Sequence, residues 1–109
     1  MNINIKATGT TLTPALKNII SEKLSILNKF LKSEHKLHVE VEYNHKHKSG
    51  QVYRAEITIM PEMYYAEARG SEAYEALDLV VPKIKDQLTK HKDKMISERR
   101  RQGAKAKRG

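Results

Sequence analysis

LHVEVEYNHKHKSGQVYRAEITIMPEMYYAEAR, residues 37–69, is the stretch on which the fold turns. Leu37, Val39, Val41 and Tyr43 alternate with His38, Glu40 and Glu42, the period of a half-buried strand. After the polar loop NHKHKSGQ the alternation returns: Tyr53, Ala55, Ile57 and Ile59 are set against Arg54, Glu56 and Thr58. Pro61 and Glu62 break the pattern, and Tyr64, Ala66 and Ala68 then alternate with Tyr65, Glu67 and Arg69. Three consecutive strands with short links predict an antiparallel meander. Because each strand alternates, one sheet face is apolar and needs cover while the other faces water.

The flanking segments supply that cover. Upstream, Asn2 to Lys6 alternates Ile3 and Ile5 with polar neighbours and predicts a first strand. The turn-rich ATGTTLTP follows, with Thr13 suited to cap a helix and Pro14 to its first position, where a missing amide donor costs nothing. From Pro14 to about Lys32 the residues Leu16, Ile19, Ile20, Leu24, Leu27, Phe30 and Leu31 share one helical face. Lys23 falls inside that apolar arc, where its stem can lie along the core with the ammonium reaching out. Downstream, Gly70 and Ser71 end the last strand. Ser71 is suited to cap a second helix running from Glu72 to roughly Arg99, with Ala73, Tyr74, Leu77, Val81, Ile84, Leu88 and Met95 on one face. Pro82 interrupts it and predicts a kink near residues 78–81 or two helical pieces.

The expected class is α+β: a two-layer β-α-β-β-β-α sandwich with a four-stranded mixed sheet and both helices on one face. The first helix is long enough to cross over, so the first two strands can run parallel. At 109 residues there is room for one core. Residues 1–101 are expected to form the domain, and 102–109, which lack apolar anchors, a basic disordered tail.

Charge is unevenly spread along the chain. Residues 1–89 carry 12 Lys or Arg against 11 Asp or Glu, and residues 90–109 carry 9 against 2, so nearly the whole net +8 sits in the last twenty residues. That distribution points to a polyanion, nucleic acid or an anionic membrane surface. Lys83, Lys90, Lys94 and Arg101 fall within about 40° of one another on the helical wheel, and Lys85, Lys92 and Arg99 form a second row at spacing seven. The second helix outlasts the strands it covers, so these rows project into solvent and suit the phosphates of a folded RNA. No apolar stretch reaches the length of a membrane span, and the opening MNINIKATG has no apolar core for a secretory signal. With no cysteine there is no disulfide or thiolate chemistry, which fits a cytoplasmic setting.

Other chemistry finds little support. His45 and His47 lie among Lys46 and Lys48, which oppose a metal, and no carboxylate or thiolate stands beside them, so no metal site is expected. His91 lies toward the apolar side of the second helix, and Tyr65 is placed to stack on a base or pack at an edge. No nucleophile elbow, phosphate-binding loop, zinc-protease motif or dinucleotide turn occurs. Glu40, Glu42, Glu56 and Glu67 share the outward sheet face as solvating charges rather than an acid–base pair. The expectation is a binding protein with no enzyme activity, no cofactor, no small-molecule substrate and no membrane partner.

EAYEALDLVVPKIKDQLTKHKDK, residues 72–94, resembles the second helix of the bacterial ribosome hibernation-promoting factors, also called ribosome-associated inhibitors, with QLTKHKDK the most specific part. PALKNIISEKLSILNKFL is similar to their first helix, including Lys23, and the element order is theirs across about residues 1–95. The resemblance implies a cytoplasmic protein seated between the ribosomal subunits in the decoding region of the small subunit. It would contact ribosomal RNA, occlude the messenger and transfer RNA sites, and silence ribosomes in stress or stationary phase. By position it implies Lys23, Lys29, Lys83, Lys90, Lys92 and Lys94 as RNA contacts, to which the charge rows add Arg99 and Arg101. Pro82 and the tail RRRQGAKAKRG depart from the family pattern. The resemblance is to a short-form member, which would promote ribosome dimers only with a second factor. Two other functions fit the same sequence: a general module for structured RNA, and a regulatory protein-interaction domain that uses the acidic sheet face.

Overall fold

The computed structural model describes residues 2–44, 46, 50 and 52–108, with the side chains of the last helix described as far as Lys90. The elements are β1 (Asn2–Thr8), α1 (Pro14–Leu24), a 3-10 segment (Ser25–Phe30), β2 (Lys36–Tyr43), β3 (Tyr53–Met60), β4 (Tyr64–Gly70) and α2 (Ala73–Arg108). The sheet order is β1-β2-β3-β4, with β1 parallel to β2 and the other pairs antiparallel. The four-stranded mixed sheet and the two covering helices are as the alternation and crossover length predict.

Register explains how the layers form. Ile5, Val39, Ile57 and Ala66 stand in one cross-strand row on the covered face, while Lys6, Glu40, Glu56 and Glu67 form the neighbouring row on the open face. A one-residue slip would put the whole apolar row into water. Ile20 and Leu24 of α1, Leu27 of the 3-10 segment and Leu77, Val80, Ile84 and Leu88 of α2 close the covered face and are buried. Each such side chain contributes roughly 1.5–3 kcal/mol of transfer free energy. Beyond Tyr64, β4 offers Ala66, Ala68 and Gly70 to this layer, so α2 comes close: a Cβ on Gly70 would lie 2.9 Å from the Ala76 amide nitrogen and from Glu75 Cβ.

Three local expectations differ from the structure. The first helix keeps α geometry only to Leu24, and Ser25–Phe30 tightens to three residues per turn. That pitch aligns Leu24, Leu27 and Phe30 on the core and leaves Ile26 exposed, while Ser25 Oγ donates to the Glu22 carbonyl (2.6 Å). Tyr74 is exposed, and Ala76 and Val80 are buried in its stead, because the buried arc of α2 is centred near Ile84 and Tyr74 lies just past its edge. α2 begins at Ala73 and continues through Pro82 as one helix. Pro82 sits on the exposed side, where water can satisfy the carbonyl its ring leaves without a donor. The bounds of α2 run to Arg108. At the N-terminus of α1, Thr13 and Pro14 act as predicted: Thr13 Oγ1 accepts from the Leu16 amide (3.1 Å) and Pro14 occupies the first turn.

Candidate nucleic-acid interface

A helix of 36 residues spans about 54 Å, whereas strands of seven or eight residues span about 25 Å. Leu88 is the last buried residue among those described, so α2 leaves the sheet there. Its direction follows from topology: β4 runs into α2 through a short turn, so the two are antiparallel, and α2 exits beside the start of β4.

That same end of the sandwich holds the starts of β1 and β2, the end of β3 and the close of the 3-10 segment. Lys29 and Lys32 are exposed there in the helical layer, and Lys36 is exposed at the start of β2 on the opposite sheet face. Only Lys29 of these was expected to matter. Lys32 and Lys36 carry no periodic signal, but the crossover that makes β1 and β2 parallel must return the chain to the end from which α2 departs. A cleft of about 450 Å³ opens beside Lys32, lined by Asn2, Asn28, Leu31, Lys32, Ser33 and His35. His35 pins this corner. Its buried ring accepts the Lys32 amide at Nδ1 (2.8 Å), which places the ring proton on Nε2, 2.8 Å from the Glu62 carboxylate in the β3–β4 turn.

The expected cations do not form one surface. Lys90 is exposed and paired with Asp86 one turn back (3.0 Å). Lys83 donates to the Glu67 backbone carbonyl (3.1 Å) at the outer edge of β4. Lys23 does reach out of the apolar arc, and its ammonium meets Asp78 of α2. Asp78 and Lys83 are about 140° apart around α2, so Lys23 lies at the seam between the helices and Lys83 on the far flank. Lys29 lies over the Phe30 ring, 5.2 Å from its centroid. Lys92, Lys94, Arg99 and Arg101 lie on the α2 backbone, but their side chains, like those of His91 and Met95, fall outside the described residues, as do His45 and His47.

On the open sheet face the carboxylates gather on one cation. Arg54 reaches Glu67 (2.6 Å), Glu56 (2.9 Å) and Glu40 (3.6 Å), and its guanidinium also donates to the Tyr65 hydroxyl (3.0 Å). Burial would push the guanidinium down, but the hydrogen bonds and charges of Glu67 and Glu56 outweigh it and hold it above its ordinary value. The Arg54 hydrogen bond, then that of Tyr65, hold the Glu67 carboxyl below the usual carboxylate range. Desolvation and the Glu67 hydrogen bond push the Tyr65 phenol up. Tyr65 is exposed, with its hydroxyl committed to this network. Among the described residues, no group of three or more His, Cys, Asp or Glu comes together as a metal site, and no helix is long and apolar enough to cross a membrane.

Comparison with known proteins agrees with this architecture. The chain is 31% identical over 106 residues to the ribosome hibernation promotion factor of Bacillus subtilis, covering 95% of this chain and 55% of that one, so it spans about half the length of that relative. It is 30% identical over 95 residues to the ribosome hibernation promoting factor of Klebsiella oxytoca, covering 87% and 97%. The N-terminal domain of Protein Y from Thermus thermophilus has the same fold, with a TM-score of 0.69 at 23% identity over 84% of this chain and 99% of that one. A ribosomal subunit interface protein from Coxiella burnetii superposes with a TM-score of 0.67 at 21% identity, over 85% and 99%. Residues 3–96 match the model of the Sigma 54 modulation protein / S30EA ribosomal protein family. With that match over most of its length, and with relatives at this identity, the chain belongs to the Sigma 54 modulation protein / S30EA ribosomal protein family.

Proposed function

We propose that this chain is a ribosome-binding translation inhibitor that acts in the cytoplasm and performs no chemistry. It inserts its basic helix among the ribosomal RNA of the small subunit, in the decoding region between the subunits, and silences ribosomes during stress or stationary phase. The observation that carries the proposal is the convergence at one end of the sandwich of the projecting α2, nine of whose last twenty positions are cationic, with exposed Lys29, Lys32 and Lys36. Two arms of charge at an angle fit a folded RNA better than a single flat phosphate layer, and they act through position rather than base sequence. The names of the Bacillus and Klebsiella relatives support the ribosome as the partner. Lys23, Lys29, Lys83, Lys90, Lys92, Lys94, Arg99 and Arg101 are proposed as contacts, joined by Lys32 and Lys36. Residues 102–109 add phosphate contacts along the messenger path.

A protein-docking role for the acidic sheet face is less favoured, because Glu40, Glu56 and Glu67 already converge on Arg54. Co-sedimentation on sucrose gradients tests the proposal. The protein should migrate with small subunits and whole ribosomes at low salt, and less so as salt rises, since each phosphate contact releases counterions. Migration lost with Lys90→Glu/Lys94→Glu fits the reading; a protein that stays at the top of the gradient at low salt overturns it. Equal binding to free RNA hairpins would indicate a general RNA-binding module instead.

A further inference from the structure

β4 is an edge strand, and the outward groups of an edge strand normally face water or a further strand. Here a side chain of α2 takes the neighbour's place. The Tyr65 amide donates to Gln87 Oε1 (3.2 Å), and Gln87 Nε2 donates to the Tyr65 carbonyl (2.5 Å). This is the two-bond exchange that a paired residue on an adjacent antiparallel strand would make. The carboxamide can sit only one way round, since the flipped amide would set donor against donor and acceptor against acceptor. One turn earlier, Lys83 Nζ donates to the next outward carbonyl on the same edge, that of Glu67 (3.1 Å). All three bonds lie on the flank of α2 away from α1, and Gln87 immediately precedes Leu88, the last buried residue described.

We infer that Gln87 is a positioning residue for the RNA-binding helix, its carboxamide fixing the direction in which α2 leaves the sheet. Leu88 is the last buried contact described before the helix leaves the sheet, and the edge bonds from Gln87 and Lys83 add a second, lateral hold on its flank at that point. The basic rows beyond residue 89 then stand at a set angle to Lys29, Lys32 and Lys36, so the two arms meet folded RNA already aligned. Gln87 carries no charge, so it contributes to selective binding without adding a phosphate contact. The inference deepens the ribosome-binding proposal and rests on it for what the alignment serves.

The test uses Gln87→Met, which keeps the volume and helix propensity while removing both hydrogen bonds, with Gln87→Ala as a second variant. The chain has no cysteine, so Asn18→Cys on α1 and Ser97→Cys on α2 allow two spin labels to be attached uniquely. Pulsed electron-spin resonance should give a narrow distance distribution for the labelled parent and a broadened one for both variants. In parallel, affinity for small subunits should fall about tenfold while affinity for polyuridylate, which depends on charge alone, stays unchanged. Unchanged distance distributions in both variants overturn the clamp. Broadened distributions with undiminished small-subunit affinity overturn its role in binding. A parent chain that fails to bind small subunits overturns the ribosome proposal instead, and the distance measurement still decides whether Gln87 fixes the helix.

Discussion

The part of α2 from Ala73 to Leu88 and the part beyond it obey different rules, although they are one helix. In the first, Ala76, Leu77, Val80, Val81, Ile84 and Leu88 are buried against the sheet, and position is set by packing. In the second, residues 90–109 carry nine cations and two carboxylates, and the pattern of charge dominates. Core packing and charge are thereby separated along a single element: charge can be changed beyond Leu88 at little expense to the core, and the core can be damaged without altering the charge that the far end carries.

Substitutions in each part test that separation. The largest stability effect belongs to Leu77→Ala, which empties a fully buried site and should cost about 2–5 kcal/mol in urea unfolding. The protein that remains folded should keep the parent's salt dependence of RNA binding; a changed slope would mean that the two parts are coupled. Next is Lys90→Glu/Lys94→Glu, expected to weaken small-subunit binding roughly 100-fold, about 2.7 kcal/mol, while unfolding free energy shifts by no more than about 0.5 kcal/mol.

The open sheet face gives a third, acid-dependent effect. The folded-state pKa of Glu67 is depressed, so its stabilisation is present above the ordinary value of 4.5 and is lost as pH falls through the lower folded value. Arg54→Met should lower stability by about 1–3 kcal/mol near neutral pH by leaving carboxylates without their cation. It should also flatten the decline in melting temperature below pH 4.5; equal declines in parent and variant would show that Arg54 does not set the Glu67 titration. The smallest effect is expected from Asp78→Asn. Its ion pair with Lys23 is half in water, so stability should change by at most about 1 kcal/mol. Freed of its partner, Lys23 should bind phosphate a few-fold more tightly, seen as a steeper salt dependence.

Much of this was legible in the chain because strand alternation and helical periodicity are local signals. Ile57 and Val39 had to share a face, and Thr13 with Pro14 had to open a helix, whatever surrounded them. Tyr74 misled because the apolar arc of α2 has an ambiguous margin, and small Ala76 fits beneath the helix only because β4 contributes alanines and a glycine there. The change of pitch at Ser25 was half visible in the 24, 27, 30 spacing, but it was settled by what the core could accept.

The element order, the covered and open faces and the concentration of cations after residue 89 can be read from the chain, since each depends on residues near one another along it. The fold in space brings Lys29, Lys32 and Lys36 to the end from which α2 departs, ties Lys23 to Asp78, converges three carboxylates on Arg54 and sets Gln87 against the edge of β4. All of these join residues far apart in the chain, and only the parallel crossover and the strand register bring them within hydrogen-bonding reach.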